Sequence, residues 1–590
     1  MKNNLSFYTE KVLLIIQKYP IILCVSLLAA LSNIWDLEKS DEHFFLATKL
    51  VITFCLGIPL FFASKILQQR WKFSPIIEIV SAILLVGFYF ILPNSQSEFS
   101  VVYAYKLIPI FLLAHLLVAI SSLHSRQSEN RFWQFNKNLF LSSFATLVFT
   151  VVLIGGVLLA LLAVDKLFNI NFRQNLYSEI SSFLLIFGST VLFLFFCNEG
   201  LLSLEKEEEY PKILKFFVQF ILIPLLILYA IILYLYVGKI ILQWQLPFGW
   251  VSYLVLVYSI LGILALLLVH PLKINESKSW VKIFSKLFYF TLIPLIILLF
   301  VAISIRLQQY GFTEPRYFVL ALGIWLVFLT GYFIISKKDK ISFIPISLII
   351  IIIFSLAFPY FNAFAVASRS QKKELQNLLI KENLMNGGKI DFNKPVTSTN
   401  ANEISNKISF LMLRKENYWL KNYLLLKDYL AITKDGNYKW EYTYFGNTRN
   451  LFINVLEDKK NNAYSIKELI SDGAITNISD YQYMAKSYNF NNQIQKIGNT
   501  NISLDDRSLD NNIDKRILVL KLSTGEQLDF VPLAKEKLKQ YPNMTTNLPE
   551  VSLEGEIGNF HVKLLLDRLS ISNNKFINWG DYQILIRQKK

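Results

Sequence analysis

The feature that most constrains this chain is a series of eleven apolar stretches, which together occupy residues 19–361 of its 590 residues. The hydrocarbon core of a bilayer, about 30 Å thick, is crossed by about 20 helical residues. Residues 145–163, 216–237 and 341–358 come close to or exceed that length without a charged side chain. The sequence therefore predicts a polytopic α-helical membrane protein with about 11 transmembrane helices.

Composition agrees with this class. Hydrophobic residues make up 54% of the chain and charged residues only 17%, whereas ordinary soluble domains carry about 25% charged residues. The predicted spans are 19–35, 45–66, 75–93, 101–123, 140–163, 178–198, 216–238, 250–270, 286–305, 317–336 and 341–361. A net charge of +16 would suggest nucleic acid in a soluble protein, but basic residues at helix ends also contact anionic headgroups. We therefore expect membrane lipids as partners and no nucleic acid.

The Lys and Arg residues are unequally divided between the two sides of the predicted bundle. If the N-terminus is cytoplasmic, nineteen lie on the cytoplasmic side and six on the other, namely Lys39, Lys166, Arg173, Lys239, Arg306 and Arg316. The positive-inside rule favours this orientation. Because the number of spans is odd, the sequence predicts that the C-terminal domain is outside the cytoplasm.

We divide the chain into a transmembrane bundle at 1–363, a juxtamembrane helix and linker at 364–402, and an extracytoplasmic α+β domain at 403–590. All three cysteines, Cys24, Cys55 and Cys197, lie within predicted spans. The C-terminal domain therefore cannot use disulfides, and its stability must come from a conventional core.

Alternating residues predict an antiparallel sheet in that domain. Residues 438–444 alternate aromatic and polar side chains, Gly446-Asn447 follows, and residues 451–455 alternate again, which predicts a hairpin. A second hairpin is predicted at 516–531 around residues 523–526. The last strands are predicted at 551–555, 560–566 and 582–587.

Three segments carry a family resemblance: FATLVFTVVLIGGVLLALLAVDKLFNI (144–170), RLQQYGFTEPRYFVLALGIWL (306–326) and FNAFAVASRSQKKELQNLL (361–379). They resemble the domain-of-unknown-function 4153 family of bacterial integral membrane proteins, and YGFTEPRY is the most distinctive part. The resemblance implies a bacterial cytoplasmic-membrane protein. It implies no activity, because that family has no agreed biochemical function.

Charged residues collect near the predicted outer ends of the spans. They are Lys49, Lys106, Asp165, Lys166, Arg306, Glu314 and Arg316, with a net charge of +3. A folded bundle could gather some of them into a site for an anionic headgroup, phosphate or carboxylate. Alternatively, each long side chain simply extends to the interface. Arg306, Glu314 and Arg316 share one short connector. For these three residues, the alternative to simple solvation at the interface is a role in binding a ligand or in bracing neighbouring helices.

His115 is the other candidate, because it lies near the middle of a predicted span. It could relay protons or bind a ligand, or it could be a neutral imidazole that is hydrogen-bonded to a neighbouring helix. The sequence contains no Cys and His spacing typical of a metal site and no evident nucleophile and base set. It therefore predicts no catalytic, cofactor or metal-binding residues.

Three functions compete. The first is a non-enzymatic envelope component whose exported domain senses or binds a partner, such as an envelope protein or glycan. The second is a transporter or flippase for a small or lipid-linked anionic substrate, which would have a site near the bilayer midplane. The third is a membrane-embedded envelope transferase, although most of the predicted outer loops between the spans are short and poor in acidic residues and histidine. We favour the first.

Overall fold

The computed structural model describes residues 2–38, 45–70, 74–95, 99–123, 129–168, 170, 172–197, 200–206, 210–243, 250–271, 280–336, 340–434, 441–456, 467–471, 478–486, 495–497, 500–508, 516–541, 545–572, 576–579 and 581–589. The chain forms two compact units. The helical unit comprises Met1–Lys394 and Asn402–Ile453, and the sheet unit comprises Pro395–Ala401 and Asn454–Lys590.

The helical unit begins with a bundle of apolar helices. In chain order these are α1 (Lys2–Lys18), α2 (Pro20–Glu38), α3 (Phe45–Arg70), α4 (Ser74–Ile91), α5 (Val101–Ile120), α6 (Glu129–Phe168), α7 (Gln174–Phe183), α8 (Ser189–Phe196), α9 (Leu201–Leu204), α10 (Lys212–Phe216), α11 (Ile223–Gln243), α12 (Trp250–Val269), α13 (Trp280–Tyr310), α14 (Glu314–Ile335) and α15 (Phe343–Ala357). A π-helical turn at Leu184–Gly188 joins α7 to α8, and another at Phe217–Leu222 joins α10 to α11.

Nine helices in the described part of the chain are long and apolar enough to cross a membrane. They are Pro20–Glu38, Phe45–Arg70, Val102–Ile120, Glu129–Phe168, Asn175–Phe196, Lys212–Gln243, Val251–Val269, Ile283–Tyr310 and Glu314–Ile335. Two shorter apolar helices, Ile76–Ile91 and Phe343–Ala357, accompany them. The prediction of a polytopic helical membrane protein is therefore confirmed at this level.

Apolar side chains both fill the bundle and cover its outside. One buried cluster belongs to α1–α9 and includes Phe62, Ile66 and Leu194, while a second belongs to α10–α15 and includes Phe288 and Leu292. Meanwhile many large apolar side chains of the same helices are exposed, for example Phe90 at 75% and Leu242 at 85%. Such an apolar exterior is what lipid contact requires, because lipid tails are as apolar as the side chains.

Polar contacts join the ends of several helices. Lys49 Nζ at the start of α3 donates to Asn94 Oδ1 after α4, at 2.9 Å. Ser342 before α15 donates through its hydroxyl to Glu129 Oε1 at the start of α6, at 2.9 Å. The far end of α15 lies beside the start of α14, where the Tyr317 hydroxyl donates to the Phe361 carbonyl at 2.7 Å.

The rest of the helical unit follows the bundle. Its elements are α16 (Ala363–Lys381), the two-residue strands β1 (Met385–Asn386) and β2 (Lys389–Ile390), α17 (Ser398–Leu413), α18 (Asn417–Lys421), α19 (Leu426–Thr433) and α20 (Glu441–Leu451). The first four residues of α17 belong to the sheet unit and the rest of that helix to the helical unit. Asn362 caps α16, because its side-chain oxygen accepts from the Ala365 amide at 2.8 Å. Ile404, Ile408 and Leu411 of α17 are fully buried, which ties this segment to the unit.

In the residues that the structure describes, the sheet unit contains three four-stranded sheets. Its elements are β3 (Lys467–Ser471), β4 (Tyr483–Lys486), β5 (Gln495–Ile497), β6 (Thr500–Ser508), β7 (Arg516–Leu522), β8 (Gln527–Asp529), α21 (Phe530–Lys539), β9 (Thr545–Leu548), β10 (Val551–Ile557), β11 (Phe560–Leu566), β12 (Arg568–Ser572), β13 (Phe576–Trp579) and β14 (Tyr582–Gln588). The sheet orders are β10-β11-β14-β4, β13-β12-β3-β9 and β5-β6-β7-β8. Every pair is antiparallel except β3 with β9.

The sheets share one apolar core. Along β11 every second side chain is buried, so one face of the strand points inward. Phe530, Ala534 and Leu538 of α21 are buried in the same core. The predicted strands at 551–555, 560–566 and 582–587 are confirmed by β10, β11 and β14. The predicted hairpin at 516–531 is confirmed by β7 and β8, except that its last two residues, 530 and 531, begin α21.

The hairpin predicted at 438–455 is wrong. Residues Glu441–Leu451 form helix α20, while residues 435–440 lie outside the described residues. Tyr444, Thr448 and Phe452 are buried, and their spacing of four residues is that of one helix face. The aromatic alternation concealed this helical period.

Candidate functional site

The connector between α13 and α14 and the helix residues beside it, residues 310–316, are held by several hydrogen bonds. Within the connector, Gly311 adopts a φ of +69°, which favours glycine. A Cβ atom at this position would meet Glu374 Cγ and Ser370 Oγ, each at 2.8 Å. Gly311 therefore allows α16 to approach the connector closely.

Helix α16 holds the connector by hydrogen bonds to its backbone. Gln371 Nε2 donates to the carbonyl oxygens of Tyr310 at 2.8 Å and Phe312 at 2.9 Å. The Phe312 amide donates to Ser370 Oγ at 2.8 Å. Backbone groups that would otherwise lose water on burial are thus paired.

Glu314 and Arg414 form a buried ion pair across this interface. Arg414 Nε and Nη2 donate to Glu314 Oε1 and Oε2, both at 2.6 Å. The Glu314 side chain is 0% exposed and the Arg414 side chain is 9% exposed. A bidentate pair with parallel hydrogen bonds is the strongest form of this contact, and breaking it would leave a buried charge.

The surroundings of each partner favour its charge. Glu314 is in the first turn of α14, where the helix dipole favours a carboxylate. Arg414 follows the last residue of α17, and its Nη1 also donates to the Phe410 carbonyl at 2.9 Å. The guanidinium carbon lies 3.2 Å from the centre of the Phe410 ring. We call Glu314, Ser370, Gln371 and Arg414 the connector clamp.

A second carboxylate lies beside the clamp. Glu416 accepts from the Ser368 hydroxyl and from Lys372 Nζ, the latter at 2.7 Å. Burial alone would raise the pKa of Glu416, but the hydrogen bonds from Lys372 and Ser368 and the charge of Lys372 hold the pKa below its usual value. Glu416 therefore remains ionised at neutral pH.

The predicted residues Arg306 and Arg316 do not pair with Glu314. Arg316 Nη1 donates to the carbonyls of Tyr310 at 3.2 Å and Gly311 at 2.7 Å, so it supports the connector backbone. The guanidinium carbons of Arg306 and Arg316 lie 5.8 Å and 5.3 Å from the Tyr310 ring centre. The partner of Glu314 is Arg414, which the sequence did not indicate.

The other predicted residues lie in different surroundings. Lys106 lines the same cavity as Arg414 of the clamp. Asp165 instead accepts from the Tyr177 hydroxyl at 3.4 Å and lies 4.0 Å from Lys166 Nζ. Of the predicted cluster, Lys106, Arg306, Glu314 and Arg316 therefore lie around the connector and its clamp, and Asp165 belongs to another group.

His115 bonds to its own helix rather than to a neighbour. Its Nδ1 lies 2.8 Å from the Phe111 carbonyl, which can only accept, so Nδ1 donates. The ring lines a cavity of about 350 Å³ together with Ser143, Thr146, Ser189 and Thr190. The described part of the chain contains no group of three or more His, Cys, Asp or Glu side chains that could hold a metal ion.

Comparison with known proteins gives the family. A family model described as a domain of unknown function, DUF4153, matches residues 21–385 of the 590-residue chain. The chain belongs to the DUF4153 family. The sequence resemblance is thereby confirmed.

One curated relative has no assigned function either. The uncharacterized protein PM1469 of Pasteurella multocida is 25% identical over 396 residues, which is 65% of this chain and 63% of the relative. The alignment thus spans less than two thirds of that relative's length. No solved structure matches the chain.

The connector clamp extends beyond the DUF4153 match. Glu314, Ser370 and Gln371 lie within residues 21–385, whereas Arg414 lies after them. In this member, the region shared with the family is therefore fastened to a segment that follows it. The clamp links the bundle to the helices after it by a buried charge pair.

Proposed function

We propose that this DUF4153 protein is a non-enzymatic component of the bacterial cell envelope. In this proposal the N-terminus is cytoplasmic, eleven helices cross the cytoplasmic membrane, and the chain after residue 363 is outside. The sheet unit binds a partner there, an envelope protein or glycan. The observation that carries the proposal is the Glu314–Arg414 pair, because it makes the helices after the bundle a fixed extension of it.

Two kinds of observation support the proposed topology. The first is the excess of Lys and Arg on one side. The second is the pairing of helix ends. The Lys49–Asn94 contact joins the start of α3 to the end of α4, and the Ser342–Glu129 and Tyr317–Phe361 contacts lie at opposite ends of α15. These contacts favour counting the two short apolar helices as spans.

Cysteine labelling tests the orientation. We replace Cys24, Cys55 and Cys197 with serine and then introduce Lys340→Cys or Thr524→Cys, both at exposed positions. In intact spheroplasts, a membrane-impermeant maleimide should label Thr524→Cys, and should label Lys340→Cys only after permeabilisation. The reverse pattern, or labelling of both in intact spheroplasts, would contradict the proposed topology.

The exposed edge of one sheet is where binding can be tested. Strand β4 is last in its sheet order, and its Tyr483 and Met484 are 41% and 52% exposed. Edge strands readily accept partners. A photoreactive residue at Met484 should give a discrete adduct in cells, whereas the same residue at the exposed loop position Thr524 serves as control. Absence of any discrete Met484 adduct would count against binding at this face.

One observation favours transport as the alternative. The cavity that contains His115 also contains Ser189, which directly follows the π-helical turn Leu184–Gly188. Such turns are frequent at functional sites, and transporters place interrupted helices around a central site. Flipping of a fluorescent anionic phospholipid in proteoliposomes, lost in His115→Ala and retained in the exposed-site variant Lys373→Gln, would favour the transporter.

A further inference from the structure

A cavity of about 350 Å³ lies beside the connector clamp, between the start of α5, the start of α16 and the end of α17. Its polar lining includes Lys106, Arg414, Lys415 and Glu416, and its apolar lining includes Val102, Phe364 and Leu413. All of these residues belong to the helical unit. The cavity is therefore a feature of one compact unit and combines a basic wall with an apolar one.

Both carboxylates at this place already have cations. Glu314 uses both oxygens for Arg414, and Glu416 is bound by Lys372. In the described part of the chain, no carboxylate lies within ion-pair distance of the Lys106 ammonium; its contacts are the rings of Tyr103 at 5.1 Å and Phe364 at 5.0 Å. The four basic and two acidic side chains here leave a net charge of +2.

Lys106 shares the cavity with a second lysine. Lys415 also lines it. Two like charges facing a partly buried space are costly unless an anion comes between them. The cavity thus has the electrostatics of an anion site rather than those of a closed network.

The backbone adds to this potential. Helix α5 begins at Val101 after Ser100, whose side chain makes no capping hydrogen bond, and α16 begins at Ala363 after Asn362. Ser100 and Asn362 both line the cavity. The N-terminal ends of two helices therefore meet there. Asn362 already caps α16, so the amide groups of the uncapped α5 end and the dipoles of both helices favour an anion.

We propose that this cavity binds a phosphate group, with Lys106 and Lys415 as its charge partners. A volume of about 350 Å³ admits a phosphate ester as well as the free ion, and the apolar wall suits the carbon groups of an ester. The inference deepens the proposed function and relies on it only for the side of the membrane from which the ligand enters. Phospholipid headgroup and free phosphate share the chemistry, and the experiment separates them.

The test uses the full-length chain purified in an uncharged detergent. In one arm, the change in melting temperature and the binding detected by native mass spectrometry are measured with inorganic phosphate. In the other arm they are measured with phosphatidylglycerol and, for comparison, with diacylglycerol. Stabilisation by phosphate identifies the free ion, stabilisation by phosphatidylglycerol alone identifies the headgroup, and stabilisation by neither overturns the proposal.

Variants show whether the cavity is responsible. Lys106→Gln and Lys415→Gln should each weaken binding about tenfold, the loss of one charge-assisted contact. The control is Lys373→Gln, which removes an exposed lysine from α16 and should bind as wild type. Equal affinity of Lys106→Gln and wild type, or equal weakening by Lys373→Gln, would overturn the proposal.

Folding of the variants provides a separate readout. Because Lys106 shares the cavity with Lys415 and has no carboxylate within ion-pair distance among the described residues, the melting temperature of ligand-free Lys106→Gln should equal or exceed that of wild type. A clearly lower value would make Lys106 a structural residue and overturn the site. Binding in detergent does not depend on the orientation of the protein in the membrane. Failure to bind would therefore contradict the phosphate site alone, whereas failure of the labelling experiment would contradict the proposed topology.

Discussion

Glu314 and Arg414 lie 100 positions apart in the sequence, yet both carboxylate oxygens of the one receive hydrogen bonds from the guanidinium of the other at 2.6 Å. The Glu314 side chain is fully buried. One residue starts a membrane helix and the other follows the last helical residue of α17. Their contact therefore links the bundle to the segment that comes after it, and removing the contact should destabilise both.

Removing one partner of this pair should destabilise the protein strongly. Arg414→Leu leaves a buried carboxylate without its cation, at a cost of about 3 to 5 kcal/mol. Glu314→Leu should cost a similar amount for the reverse reason. The measurement is thermal or denaturant unfolding of the purified chain in detergent, compared with wild type.

The double variant separates pairing from packing. Glu314→Leu with Arg414→Leu should be markedly more stable than the sum of the single effects, because no unpaired charge remains. Arg316→Ala should cost less than Arg414→Leu, since Arg316 bonds only to connector carbonyls. Strict additivity of the double variant would mean that the charge pair itself contributes little.

Gly311→Ala should disturb the connector clamp without changing any charge. Its φ of +69° strains an alanine, and the new Cβ would lie 2.8 Å from atoms of Ser370 and Glu374. We expect a loss of about 1 to 3 kcal/mol in the free energy of unfolding. The matched control is Gly155→Ala in α6, where nothing lies within 4 Å of the new Cβ. Equal stabilities of the two variants would contradict the close approach.

Glu416 should make stability depend on pH in the acid range. Its pKa in the folded protein is below the usual value of 4.5, so the unfolded state binds the proton more readily. The stabilisation is therefore complete above about pH 4.5 and is lost as the pH falls through the lower, folded pKa. Unfolding curves measured from pH 6 to about pH 3 should show a shallower acid loss for Glu416→Gln than for wild type.

A carboxylate outside these contacts controls for general acid sensitivity. Glu382, partly exposed just after the last residue of α16, can be changed to glutamine with the same loss of charge. Glu382→Gln should keep the wild-type dependence of stability on pH. An identical response of Glu382→Gln and Glu416→Gln would remove Glu416 from the explanation.

The sequence predicted those parts of the fold that rest on local pattern. Long apolar runs become helices because every backbone group is paired within them, and the alternation in Phe560–Leu566 becomes a strand with one buried face. The same reasoning mistook Glu441–Leu451 for a strand, since aromatic residues at every second position hid the buried series Tyr444, Thr448 and Phe452. Local pattern is ambiguous where two periods overlap.

The site was only half visible in the sequence. Glu314 and Arg316 could be predicted as candidates because charges near a membrane helix are costly. Arg414 could not, because it lies in a polar part of the sequence where basic residues are common. Nothing local connects residues 100 positions apart, and Ser370 and Gln371 contribute through neutral hydrogen bonds that no charge pattern marks. Pairing at that distance is decided by tertiary packing.

The division of the chain leads to the last prediction, which concerns independent folding of the sheet unit. Residues Asn454–Lys590 carry nearly all of that unit, contain the shared apolar core of sheets and α21, and hold no cysteine. Expressed alone, they should give one cooperative thermal transition that reductant does not change. A longer fragment starting at residue 401 should aggregate more, because it exposes Ile404, Ile408 and Leu411, which are fully buried in the whole chain. Thermal melts followed by circular dichroism, together with light scattering, test both fragments for independent folding. If the short fragment were disordered and the long one well folded, α17–α20 would be needed to complete the core of the sheets.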